Sequence, residues 1–154
     1  MSRQNRYLAV LEKLLTHLKN SKLEYFKASD HAIRPEKKRF YNQQGLLRNR
    51  FFQDVLRELQ QLGMSTDDLV VNRFNFDQLL ISTIDTLQAS AIEKCVHADE
   101  TLLSIYAELE GFNEDQSNNF NNHTTHLEDA ITQNKEWVSS FGLKRSNSKP
   151  VSKS

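Results

Sequence analysis

Residues 3–39 read RQNRYLAVLEKLLTHLKNSKLEYFKASDHAIRPEKKR, and their spacing settles the fold class. Leu8, Leu11, Leu15, Leu18 and Tyr25 follow one another at intervals of three, four and seven, with Leu14 and Ala28 beside them. That is the seam of an amphipathic helix over about Arg3 to His31. It ends before Pro35, because the pre-proline residue Arg34 is biased away from helix. Pro35 suits the first turn of a second helix, with Glu36 near its positive end. Two long helices joined by so short a turn are antiparallel neighbours.

The second helix is expected from about Pro35 to Leu62, with Phe40, Leu47, Phe51, Val55, Leu59 and Leu62 on one stripe and Gly63 as its C-cap. Ser65-Thr66-Asp67-Asp68 is a capping signature. It opens a less regular stretch with Phe74, Phe76, Leu79, Leu80 and Ile84, expected to be a crossover carrying one short helix. A third helix spans about Ala89 to Glu110, with Ile92, Val96, Leu103 and Tyr106 inward. After a turn at Asn113 to Gln116, a fourth runs to about Phe141, with Phe120, Leu127, Ile131, Val138 and Phe141 on one face and Trp137 beside it. The expected fold is therefore all-α: an antiparallel four-helix bundle over residues 1–142 whose crossover between helices 2 and 3 is the ferritin-like device. Residues 143–154 are basic, serine-rich and interrupted by Pro150, and are expected to be disordered.

Composition agrees with a few long helices, since only four Gly and two Pro punctuate 154 residues. The 20 basic and 20 acidic residues cancel, so no long-range field marks a binder of nucleic acid or anionic membrane. No uncharged apolar run approaches the ~18 residues that span a bilayer. A lone cysteine, Cys95, excludes an internal disulfide and suits a reducing, cytoplasmic setting. It reads as a small core hydrophobe.

Chemistry has to come from polar residues that the helical period turns inward. Asp99 lies amid the inward series of the third helix, and an ionised carboxylate there must be paired or metal-bound. On the first helix, His17, Glu24 and His31 ride one edge of the seam, and Asn134 falls at a core position of the fourth. One reading is a di-metal carboxylate site for iron or manganese, with Glu24 and Asp99 as ligands and His97, His123 or Glu100 as additional ones. Such bundle sites use a Glu from each of two helices and Glu-x-x-His from the other two, and no Glu-x-x-His occurs on the four long helices. The other reading is a buried network fixing the register of the bundle, with Glu24 and Asp99 satisfied by Arg48, Tyr25, Tyr106 or a buried water. On that reading histidines 17, 31, 97, 123 and 126 lie on the surface or flanks. Phe51, Phe52 and Leu56 widen the apolar arc of the second helix, which is either covered by Phe74 and Phe76 of the crossover or left as a patch for a second subunit of a homodimer.

Glu24-Tyr25-Phe26 with Ala28, Asp54-Val55-Leu56-Arg57-Glu58-Leu59 ending in Leu62-Gly63, and Cys95 through Asp99-Glu100 to Tyr106 together resemble a bacterial family of ferritin-like four-helix bundles with no established reaction. The resemblance covers about Tyr7 to Gly142. Ala98 stands where that family often has glycine, and Asn134-Lys135 where it often shows Asp-His. It implies an acidic residue facing the centre from the first and third helices. The function expected from the residues is that of a non-catalytic bundle acting through self-association or a protein partner, with a stress-related role suggested by analogy with the fold. The alternative is a metal-binding oxidoreductase or an iron-handling protein.

Overall fold

The computed structural model describes residues 2–65, 91–112 and 120–148, with side chains on the last helix described as far as Val138. Four helices make up these residues: α1 (Arg3–His31), α2 (Pro35–Gln61), α3 (Ala91–Glu110) and α4 (Asn121–Ser148). The expected crossover, the turn at Asn113 to Gln116, the Phe141 side chain and residues 149–154 lie outside them.

Local chemistry sets the helix limits. Ser2 caps α1 by accepting from the Asn5 N–H at 3.1 Å. Arg34 is extended (φ −78°, ψ 132°) with Pro35 in the first turn of α2. At the other end Gly63 takes φ +96°. Its N–H donates to the Gln60 carbonyl and the Met64 N–H to the Leu59 carbonyl, each at 3.0 Å, which is a Schellman stop. The fourth helix runs on to Ser148, beyond the expected end near Phe141. Gly142 alone weakens a helix by only about 1 kcal/mol, and no proline intervenes before Pro150.

The directions of the helices follow from contacts at two levels. Near one end, Tyr7 of α1 donates to Glu58 of α2 (3.3 Å) and packs on Phe112 just past α3 (5.7 Å between rings). Farther along, Ser21 of α1 meets both Arg48 and Asp99. Thus α1 is antiparallel to α2 and to α3, and α2 and α3 run the same way. Contacts from Tyr106 to His123 and from Glu100 to Lys135 make α4 antiparallel to α3.

Two apolar clusters fill the interior. The larger joins Leu11, Leu14, Leu15 and Leu18 to Phe51, Val55, Leu59, Leu102, Ile105, Leu109 and Leu127. The smaller gathers Tyr25, Ala28, Tyr41 and Cys95, with Phe40 and Trp137 against them. Between the two lie Ser21, Arg48, Asp99 and Asn134, so the core is two apolar blocks separated by a polar layer.

The inward faces differ in detail from expectation. On α3 the buried series is Cys95, Ala98, Asp99, Leu102, Ile105, Tyr106 and Leu109, while Ile92, Val96 and Leu103 are half-buried. On α2, Tyr41, Gly45 and Arg48 are buried, and Phe40, Leu47 and Leu62 only partly so. Val138 on α4 is exposed. At Gly45 a neighbouring side chain fills the space that a Cβ would take. A Cβ at Gly45 would sit 2.7 Å from Cδ1 of the Phe26 ring. Gly45→Ala is therefore expected to lower stability by about 1–3 kcal/mol through overpacking, despite the better helix propensity of alanine. A thermal melt checks it, and a variant as stable as wild type would show that Phe26 gives way freely.

Candidate functional site

The polar layer is built around one ion pair. Asp99 and Arg48 both have side chains 0 % exposed, with Arg48 Nη2 2.7 Å from Asp99 Oδ2. Nε of the same guanidinium donates to Oδ1 at 3.2 Å, so the fork of Arg48 grips both carboxylate oxygens. Ser21 Oγ donates to Oδ1 at 2.9 Å and Tyr25 Oη to Oδ2 at 2.6 Å. A carboxylate offers about four acceptor sites, and these contacts use all of them.

Each partner is held in turn. Arg48 Nη1 donates to the backbone carbonyl of Gln44 (3.1 Å) and to its side-chain Oε1 (2.5 Å), one turn back on α2. The guanidinium lies over the Tyr25 ring, 4.2 Å from its centroid, adding a cation–π contact. Tyr25 Oη accepts from Asn134 Nδ2 at 2.9 Å. One layer therefore ties all four helices together.

Burial tends to lower the Arg48 pKa, but Asp99 beside it holds the group above its usual value, so it stays charged. The Tyr25 phenol is pushed well up by burial and then by Asp99. Burial likewise pushes the Cys95 thiol up, reinforced by Asp99 and Glu24. A thiol kept protonated in a closed core is a poor nucleophile and a poor metal ligand.

A second polar chain lies about two turns away along α3. Tyr106 Oη is 2.7 Å from His123 Nδ1, and His123 Nε2 is 2.9 Å from Asp54 Oδ2. The Asp54 carboxylate can only accept, so Nε2 carries the imidazole proton and Nδ1 accepts from the Tyr106 hydroxyl. The imidazole stacks on Phe51 with centroids 3.9 Å apart. Burial moves the His123 pKa down against the opposing pull of Asp54. The chain ties α2, α3 and α4.

The residues expected to share a site are thus distributed over different surroundings. Glu24 and Asp99 are buried, whereas His97 and Glu100 are exposed on the outside of α3, with Glu100 3.3 Å from Lys135. His123 is buried, not on a flank as expected, and belongs to the Tyr106 chain. Among the described residues no group of three or more His, Cys, Asp or Glu is placed to hold a metal ion. In the polar layer α2 contributes a guanidinium and α4 a carboxamide, where a di-metal centre would need carboxylate or imidazole from each. The donor set around Asp99 does not fit such a centre.

Sequence spacing placed Asp99 and Asn134 at core positions and read Cys95 as a core hydrophobe, and all three are buried; of the partners it left open for Glu24 and Asp99, Arg48 and Tyr25 are the ones that meet Asp99. It missed His123, although a signal was present: His123 follows Phe120 by three and precedes Leu127 by four, on the buried face. Nothing in the spacing paired Asp54 with His123. No protein-family model, curated protein or solved structure matches the chain.

Proposed function

We propose that the chain is a non-catalytic bundle of the ferritin-like kind that works through association, with its own kind or with another protein, and not through a reaction in its core. The arrangement is supported by the parallel run of α2 and α3. The end of α2 lies by Tyr7 and the start of α3 by Ala28 and Tyr41, at opposite ends of the bundle, and successive helices that run the same way are the pattern of a ferritin-like bundle.

The observation that carries the functional reading is the saturation of Asp99. Its acceptor sites are filled by Arg48, Ser21 and Tyr25, and neither charged partner is exposed. A group so committed has no capacity left for a substrate or an ion. Breaking a buried pair is strongly destabilising, so its natural role is to fix which levels of the helices meet. Interaction with other molecules then falls to the outer surface, and among the described residues no helix is long and apolar enough to cross a membrane.

Metal analysis of protein purified without a chelating tag tests this. The expected content of iron and manganese is far below one ion per chain, unchanged in Glu24→Gln. Near-stoichiometric metal that falls in Glu24→Gln would overturn the reading in favour of a metal-dependent oxidoreductase or an iron-handling protein.

A further inference from the structure

The chain is formally neutral, but its charge is not evenly spread over the bundle. Helices α1 and α2 carry 12 Lys and Arg against six Asp and Glu, whereas α3 and α4 as far as Val138 carry two against eight. Beyond Val138, α4 adds Lys144 and Arg145. The outermost stripe of α2 presents Arg39, Arg50 and Arg57, all exposed, with Leu46, 57 % exposed, among them. The outer face of α4 presents Glu128, Asp129 and Glu136, also exposed.

These two helices flank one side of the bundle and run in opposite directions. Three contacts set their levels: Phe40 with Trp137 (5.1 Å), Phe51 with His126 (6.0 Å) and Asp54 with His123 (2.9 Å). Counting along the helices from these pairs puts Arg39 level with Val138 and Arg50 level with Leu127. At about 1.5 Å of rise per residue, Arg39 is then ~3 Å in height from Glu136, and Arg50 ~3 Å from Asp129.

We propose that this side is where a second copy of the chain docks, about a two-fold axis parallel to the helices, so that α2 of each copy lies along α4 of the other. The inference rests on the association reading and names its partner. A two-fold axis across the helices would set α2 on α2 and α4 on α4, bringing like charges together. The axis along the helices lays α2 on α4 twice and preserves the levels, so Arg39 faces Glu136 and Arg50 faces Asp129 in both halves. Opposite charges brought within the ~8 Å Debye length attract at physiological salt. A polyanion drawn to the arginines would meet the acidic stripe on the same side, whereas a second copy satisfies both stripes at once.

Sedimentation equilibrium of the full chain tests it, with wild type, Arg39→Glu/Arg50→Glu and Asp129→Lys/Glu136→Lys at low and high salt. Wild type is expected to be a dimer that weakens as salt rises. Each charge-reversed variant should bind itself on the order of 100-fold less tightly, since like charges across an interface are strongly repulsive. An equimolar mixture of the two variants should recover the dimer mass, because one then carries two acidic stripes and the other two basic ones. Far-UV circular dichroism confirms that the variants are folded, and the single reversals Arg50→Glu and Asp129→Lys serve if either double variant is not. A monomeric wild type at low salt overturns the proposal while leaving association with a different protein as the function. A dimer indifferent to both reversals, or a mixture that stays monomeric, overturns the pairing.

Discussion

Asp99→Ala is expected to lower the free energy of unfolding by about 3–5 kcal/mol, the range for breaking a buried ion pair by removing one partner. The loss is large because Arg48 is fully buried and keeps its charge, with only Gln44, Ser21 and the Tyr25 ring to face it. Tyr25 and Ser21 each lose the acceptor of their hydroxyl proton as well. Urea unfolding followed by circular dichroism, at one fixed protein concentration, measures the difference. Removing both charges separates the energy of the pair from the penalty of an orphan. Arg48→Met with Asp99→Leu should recover most of the loss, since apolar replacement of a complete buried pair is often neutral or better. An Asp99→Ala protein within ~1 kcal/mol of wild type would show that the layer does not hold the register and would remove the ground for calling the core structural.

The double replacement also isolates what the layer contributes besides stability. Ser21, Arg48, Asp99 and Asn134 come from four helices and meet only when those helices are at one set of heights. Apolar blocks on either side tolerate a slide of a turn far better than a bidentate ion pair does. The expected signature of an apolar layer is a protein of normal stability with a less uniquely ordered core, visible as broadened amide signals.

How much of this was legible depended on where the partner of each residue lies. The ends of α1 and α2 were readable because Pro35 and Gly63 act through their own backbone angles. The seam of α1 was readable because its leucines dominate every competing frame. On α3 the frame was ambiguous: Leu102 and Leu103 are adjacent, as are Ile105 and Tyr106, and the residues that decide between the frames, Cys95 and Ala98, are small and weigh little as core markers. Arg48 was recognisable as a partner for Asp99 but not as the centre of the layer, since a basic residue next to Leu47 ordinarily marks the solvent side. The charge asymmetry was hidden by the total, because opposite charges that cancel over the chain say nothing about which helix carries them.

His123→Ala is expected to cost about 3–5 kcal/mol at neutral pH, close to the loss on truncating a large buried ring. The imidazole is 2 % exposed and stacked on Phe51, and its removal also leaves the buried Tyr106 hydroxyl without its acceptor. His123→Phe keeps the stack and removes only the hydrogen bonds, for which about 1–3 kcal/mol is expected; adding Tyr106→Phe should return part of that by removing the orphaned hydroxyl. The pH dependence has a definite sign. Burial holds the folded-state pKa of His123 below its ordinary 6.5, with His126 adding to the depression and Asp54 opposing it. The unfolded chain therefore binds more protons as pH falls through about 6.5, and stability falls with it until the folded pKa is reached. Below that point an imidazolium would turn a second N–H toward Tyr106, whose hydroxyl is held protonated by burial and would have to turn away. His17 is shifted in the same direction, by burial and Lys13, so the wild-type slope alone does not identify the residue. The comparison does: between pH 7.5 and 5.5 His123→Phe should lose less stability than wild type, and parallel profiles would assign the slope to His17 or the surface.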